Sequence, residues 1–213
     1  MEMEKYHKIN GIYKRYAKGE KKGKFIEGEF SKPEFKYLFN NIWVGKEKID
    51  GTNLRIGWDG YNVDIRGRTD NANLHMDLIK RVQELFPFKK FESNFGNKEV
   101  VLYGEGYGAG IQKGGKYREK KDFILFDILI NGFYLDYDNI VEIAKTMGLD
   151  VVEQIYRGTL FSAIMLVKEG FKSEVKGCSS DCMAEGLVLV PEIYLTNKFG
   201  ERIITKLKTK DWE

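Results

Sequence analysis

Apolar positions fall into two periods along this chain, one of three to four residues and one of two, and their interleaving predicts an α+β fold. Leu74, Leu78, Val82 and Leu85 repeat at the spacing of one helix face, with Asn71 or Asn73 available as cap, and that stripe is expected to be core. Ser31-Lys32-Pro33-Glu34 reads as another helix start, Ser31 capping and Glu34 reaching back, with Phe35, Leu38 and Phe39 on one face. Helices are also predicted over residues 138–147, where Gly148 is a natural stop, and over 160–169. Elsewhere the period falls to two. Trp43-Val44 leads into a strand, and residues 54–58 and 61–65 form a hairpin across Asp59-Gly60. Strands follow at 100–103, at 123–130 and 133–135 across the Asn131-Gly132 turn, and at 186–190 and 202–207.

Composition adds limits. At 213 residues the chain can bury one substantial core. Lys+Arg 35 against Asp+Glu 32 leaves a net charge of +3, so affinity for a polyanion has to come from local clusters such as residues 18–24 and 113–121. Solvated loop charge explains the first cluster at least as well. Cys178 and Cys182, with only His7 and His75 as further soft ligands, do not compose a zinc site; a structural disulfide stays open in principle, and two thiols in a reducing compartment are expected. No run approaches the roughly 18 apolar residues of a membrane span, and Met1-Glu2-Met3-Glu4-Lys5 is too charged to begin a signal peptide. A cytoplasmic, monomeric protein without a membrane partner is expected.

The most informative string is Glu47-Lys48-Ile49-Asp50-Gly51-Thr52-Asn53, an amine in a turn between strand-like runs. Alone it also fits a surface lysine ahead of a hairpin turn. Further strings follow in order: Arg66-Gly67-Arg68-Thr69, Tyr103-Gly104-Glu105-Gly106, residues 123–128 around Phe126-Asp127, Ala184-Glu185-Gly186, and Lys206-Leu207-Lys208. Together they resemble motifs I, Ia, III, IIIa, IV and V of the covalent nucleotidyltransferases, the superfamily of polynucleotide ligases and mRNA capping enzymes. The lysine string and Gly110-Ile111-Gln112 are most similar to the RNA ligase 2 family. The resemblance implies two antiparallel sheets with flanking helices and the nucleotide held between them. It further implies an ATP-dependent RNA ligase that forms lysyl-AMP on Lys48, with Mg²⁺ or Mn²⁺ as cofactor and RNA ends or nicks as partner.

A lysine attacking the α-phosphorus must be neutral, whereas free lysine has a pKa of ~10.4. Cations against the amine favour the neutral form, and Lys206, Lys208 and a divalent ion are the candidates. Strand alternation puts Lys206 and Lys208 on one face with Leu207 turned inward. By resemblance Glu185 binds the metal and Glu105 meets the ribose hydroxyls. Likewise Phe126 stacks on adenine, while Phe123, of opposite strand parity, belongs to the core. Glu47 is expected at the adenine amino group and Asp127 in a supporting role. Arg68 is expected at the ribose or the acceptor 5′-phosphate, and Arg66 shares its face.

Asn53 stands where DNA ligases and capping enzymes usually carry arginine, which favours RNA, whereas Asp50 stands where close RNA ligases often carry histidine and leans toward the DNA type. A DNA ligase, a guanylyltransferase and a non-catalytic nucleic-acid binding relative remain alternatives. Lys208 lies five residues before Glu213, so a single nucleotidyltransferase domain over residues 1–213, with no C-terminal accessory domain, is expected. Such a domain should adenylylate itself more readily than it seals an ordinary nick.

Overall fold

A computed structural model of the chain describes residues 3–212. In chain order the elements begin with β1 (Asn10–Gly11), β2 (Tyr13–Arg15), β3 (Phe25–Phe30), α1 (Pro33–Tyr37) and β4 (Trp43–Glu47). β5 (Thr52–Trp58), β6 (Val63–Gly67), α2 (Met76–Leu85), α3 (Phe88–Phe95) and β7 (Val100–Tyr107) follow. β8 (Asp122–Ile130), β9 (Phe133–Tyr134), α4 (Tyr137–Met147), β10 (Gln154–Gly158), α5 (Leu160–Glu169), β11 (Gly186–Pro191) and β12 (Thr205–Lys208) complete the series. The chain is α+β, as its two periods predict.

These elements make two compact units. One comprises residues 3–7, 49–152 and 175–179, and its sheet runs β6-β5-β7-β8-β9 with every pair antiparallel. Alternation along β5 and β7 turns Leu54, Ile56, Trp58, Val100 and Leu102 to one face, where Leu78, Val82, Phe91 and Ala144 from the three helices cover them. The second unit comprises residues 8–48, 153–174 and 180–212, with sheet order β1-β12-β11-β4-β10. Its ladders are antiparallel except β1 on β12. Trp43, Leu187, Leu189 and Leu207 face inward there against Leu160, Ala163 and Val167 of α5.

Several local expectations change. Ser31 does not cap α1: Lys32 holds that position, and the Ser31 hydroxyl donates to the Gly11 carbonyl. Neither Asn71 nor Asn73 caps α2, which starts after His75, although Leu74 still packs on the core. β6 begins at Val63 because Asp59 Oδ1 accepts the N–H groups of Tyr61 and Asn62, at 2.9 and 2.6 Å, and this side-chain turn consumes those two residues. Helix α3 is an addition, with Phe91 and Phe95 inward. Cys178 and Cys182, expected as thiols, are both disulfide-bonded, in a segment folded back by a turn from the Cys178 N–H to the Val175 carbonyl. Among the described residues no helix is long and apolar enough to cross a membrane.

Helix α4 is closed at both ends by its own sequence. Asp136 accepts the Asn139 N–H, and Gly148 takes the left-handed conformation, φ 61°, that stops the helix. Replacing Asp136 with Ala is expected to lower the unfolding free energy by about 1 kcal/mol. That appears as a lower urea midpoint at unchanged slope, and an unmoved midpoint would show that the cap contributes nothing.

Candidate active site

Strand β4 delivers Lys48 one residue past its end, and the ladder continues there: the Lys48 N–H donates to the Gly186 carbonyl at 2.8 Å. β11 lies between β4 and β12, with Val188 opposite both Lys46 and Lys206, and Gly186 opposite Lys208. Side chains alternate across these strands, so Trp43, Leu187 and Leu207 enter the core while Lys46, Lys48, Lys206 and Lys208 share the other face. Lys46 is an addition to the sequence reading. Its position two residues before Lys48 on a strand was the available signal.

Glu185, just ahead of β11, closes this cluster. Its carboxylate lies 2.9 Å from Lys48 Nζ and 2.5 Å from Lys208 Nζ, with only 10% of its side chain exposed. Burial pushes the Glu185 carboxyl up, but attraction to Lys48 and hydrogen bonds from Lys208 and Lys48 outweigh it, and the group is held below the ordinary value of 4.5. Gly186 makes the approach of β12 possible: it has φ 151°, and a Cβ there would lie 1.9 Å from the Leu207 carbonyl oxygen. The Lys48, Glu185 and Lys208 candidates are thus brought into direct contact, with Lys206 on the same face.

Glu47 is placed differently. It shares strand parity with Trp43 and is buried, and its carboxylate accepts the Ser173 hydroxyl at 2.6 Å and the Glu174 N–H at 2.8 Å. The residue expected at adenine therefore anchors the segment ahead of Glu185. Ser173 carries no sequence signal for that task.

The other candidates lie in the β6–β9 unit. Asn53 and Glu105 are direct cross-strand partners on β5 and β7, on the face opposite the helix-covered core. Asn53 Oδ1 is buried with no hydrogen-bond partner, an acceptor to which a ligand hydroxyl could donate. Gly51 allows the preceding turn to close, because a Cβ there would lie 2.3 Å from the Gly106 carbonyl oxygen. Arg68 is exposed just beyond β6, whereas Arg66 is ion-paired to Asp64 at 2.6 Å and Asp70 at 3.5 Å. Arg68 is the more accessible of the two.

Phe126 sits at a β-bulge. Tyr103 and Gly104 pair with Asp127 and Leu125, so Phe126 is the extra residue of β8. Phe123 and Leu125 before it and Ile128 after it face the helix-covered core, while part-buried Phe126 packs with Tyr6, Tyr103 and Leu129 on the opposite face. Phe123 and Phe126 thus lie on opposite faces, as their strand parity predicts. Asp127 is buried and accepts the Tyr6 hydroxyl at 2.8 Å.

Among the described residues no group of three or more His, Cys, Asp and Glu side chains is arranged to hold a metal. One buried carboxylate still suits Mg²⁺, which takes one or two carboxylates and completes its shell with water and substrate phosphates. The chain's residues fit such an ion at Glu185, with the substrate supplying the remaining oxygens.

The RNA ligase family model matches residues 41–208. No curated protein matches the chain. Solved structures of Naegleria gruberi RNA ligase resemble the fold: an apo mutant has a TM-score of 0.66 at 16% identity, over 84% of this chain and 52% of that one. A mutant with AMP and Mn gives 0.65 at 16% identity, and the protein with PPi gives 0.64 at 18%, each over 84% of this chain and 53% of theirs. The chain therefore spans about half the length of the structures it matches.

Folding lowers the Glu185 pKa, so the carboxylate contributes stability above its unfolded value of 4.5, and that contribution fades as pH falls through the lower folded value. Wild type is expected to exceed Glu185→Gln in unfolding free energy at neutral pH, with the gap narrowing in acid below 4.5. A gap that stays constant down to acid would contradict the ion-pair account.

Proposed function

Because this chain belongs to the RNA ligase family, we propose that it is the nucleotidyltransferase part of an ATP-dependent RNA ligase, with Lys48 as its nucleophile. The observation that carries this reading is the shared clamp of Lys48 and Lys208 on Glu185. The Lys48 nitrogen attacks the α-phosphorus of ATP, forming a P–N bond as the bond to the leaving pyrophosphate breaks, and lysyl-AMP results. AMP then passes to the 5′-phosphate of a polynucleotide. The 3′-hydroxyl of the other end attacks that phosphate, and AMP leaves.

While Glu185 is ionised beside it, the Lys48 nitrogen is engaged by the carboxylate rather than by phosphorus. When the carboxylate's charge is engaged elsewhere, the Lys48 nitrogen is released for attack. Lys206 and Lys208 then hold the triphosphate and offset the negative charge that builds up during displacement. Mg²⁺ or Mn²⁺ held by Glu185 would add the same electrostatic stabilisation; ATP and Mn accompany several of the Naegleria mutants. In the other unit, Glu105 and Asn53 meet the ribose, where the orphaned Asn53 acceptor suits a hydroxyl donor. Phe126 stacks on adenine and Arg68 meets the ribose or the acceptor phosphate. Glu47 keeps its place as the anchor of residues 173–174. Asp50 favours a second reading, a ligase that joins DNA.

Incubation with labelled ATP, GTP or NAD and Mg²⁺, followed by denaturation, tests the reading, and label from ATP alone is expected to remain on the protein. Lys48→Ala and Lys48→Arg should abolish it, since guanidinium stays protonated. Glu185→Ala and Lys206→Ala should slow it by roughly 10²–10³-fold, the usual loss for one stabiliser of transition-state charge. Full labelling of either Lys48 variant would remove that residue from the chemistry. The substrate is settled by a nick whose 3′-hydroxyl strand is RNA or DNA: RNA is expected to seal faster, and equal rates would support the DNA reading.

A further inference from the structure

Residues 3–7 precede the stretch that matches the family model, yet they pack on the same sheet face as Phe126 and Glu105. Met3 is buried with Val101, Tyr103 and Leu129. Two hydrogen bonds fasten the segment: Arg55 Nη1 donates to the Met3 carbonyl at 2.9 Å, and the Tyr103 hydroxyl to the Glu4 carbonyl at 3.0 Å. Arg55 is itself fully buried, with its remaining donors on the Gly67 carbonyl and Asp70 at 2.9 and 2.8 Å. The hydrogen bond from Arg55, then that from Lys5, hold the Asp70 carboxyl down at about 2, so this anchor stays charged at any working pH.

Fastened in this way, Tyr6 reaches both residues of the bulge. Its hydroxyl donates to Asp127 Oδ2 at 2.8 Å, and its ring lies 5.1 Å from that of Phe126 at an interplanar angle of 74°. Tyr6 is supported in turn by His7, stacked at 4.5 Å, and by Tyr103 at 4.9 Å. A bulge disrupts the ladder locally and re-aims the side chain of its extra residue, so the direction of the Phe126 ring depends on what packs against it. A near-perpendicular aromatic contact favours one ring plane and stabilises the pair beyond the area it buries.

We infer that Tyr6 is a positioning residue for the nucleobase: latched to Asp127, it sets the plane of the Phe126 ring that stacks on adenine. The inference rests on the adenine role given to Phe126 above and extends the binding machinery to a segment outside the matched family region. Tyr6 contacts Asp127 and the ring assigned to the base, so its loss should weaken ATP binding and leave the chemical step alone.

Self-adenylylation of the full chain, measured against ATP concentration, tests this. Tyr6→Ala is expected to raise the half-saturating ATP concentration roughly fivefold, as loss of an aromatic pair implies, with the maximal rate unchanged. Tyr6→Phe, which keeps the ring, should restore most of the affinity. In a Phe126→Ala background Tyr6→Ala should add nothing, because the two residues act through one ring. If Tyr6→Ala does not fold, Tyr6→Leu takes its place in the same cycle. Additive effects of the two substitutions, an unchanged half-saturation, or a fall in maximal rate would overturn the inference. If Phe126→Ala alone leaves half-saturation unmoved, the adenine reading of Phe126 fails and the Tyr6 inference falls with it. A Phe126→Ala effect without a Tyr6→Ala effect sinks the Tyr6 inference alone.

Discussion

One carboxylate shared by two ammonium groups sets most of what surrounds it. Glu185 is nine-tenths buried, and a buried lone charge on either sign would be strongly unfavourable, so Lys48, Glu185 and Lys208 must arrive together. Their meeting depends on the register of three strands. Lys48 is tied to the Gly186 carbonyl and Gly186 lies opposite Lys208, and a one-residue slip of β4 or β12 would turn its lysines into the core. Gly186 follows from the same demand, since β12 runs too close for a Cβ.

The unit with sheet β6-β5-β7-β8-β9 works by hydrogen bonding and packing where the unit that holds Lys48 works by charge. Its sheet hides one face beneath three helices and presents Asn53, Glu105 and Phe126 on the other. That face is not left bare. Arg55 and Tyr103 hold residues 3–7 along it, and the bulge at Phe126 places two consecutive side chains, Phe126 and Asp127, against Tyr6. Lys48, Glu185, Lys206 and Lys208 thus lie on one unit and Asn53, Glu105 and Phe126 on the other.

What the sequence made legible follows from which interactions are local. The period of Leu78 and Val82, the parity of Lys206 and Lys208, and the opposite facing of Phe123 and Phe126 are consequences of backbone geometry and appear as expected. Lys46 was equally legible by parity. Ser31, Asn71 and Asn73 have the chemistry of caps but not the position: Ser31 bonds to Gly11 instead, and α2 starts only after His75. The partners of Glu47, a hydroxyl and a backbone N–H more than a hundred residues away, leave no trace in its neighbourhood of sequence. The bulge at Phe126 and the docking of Tyr6 are likewise set by pairings between distant segments.

The account turns on which amine is held in reserve by Glu185. Adenylylating the protein with ATP and Mg²⁺, digesting it under conditions that preserve P–N bonds, and mapping the AMP adduct by mass spectrometry measures that directly. A single AMP on Lys48 is predicted. AMP on Lys46, Lys206 or Lys208 in place of Lys48 would contradict it.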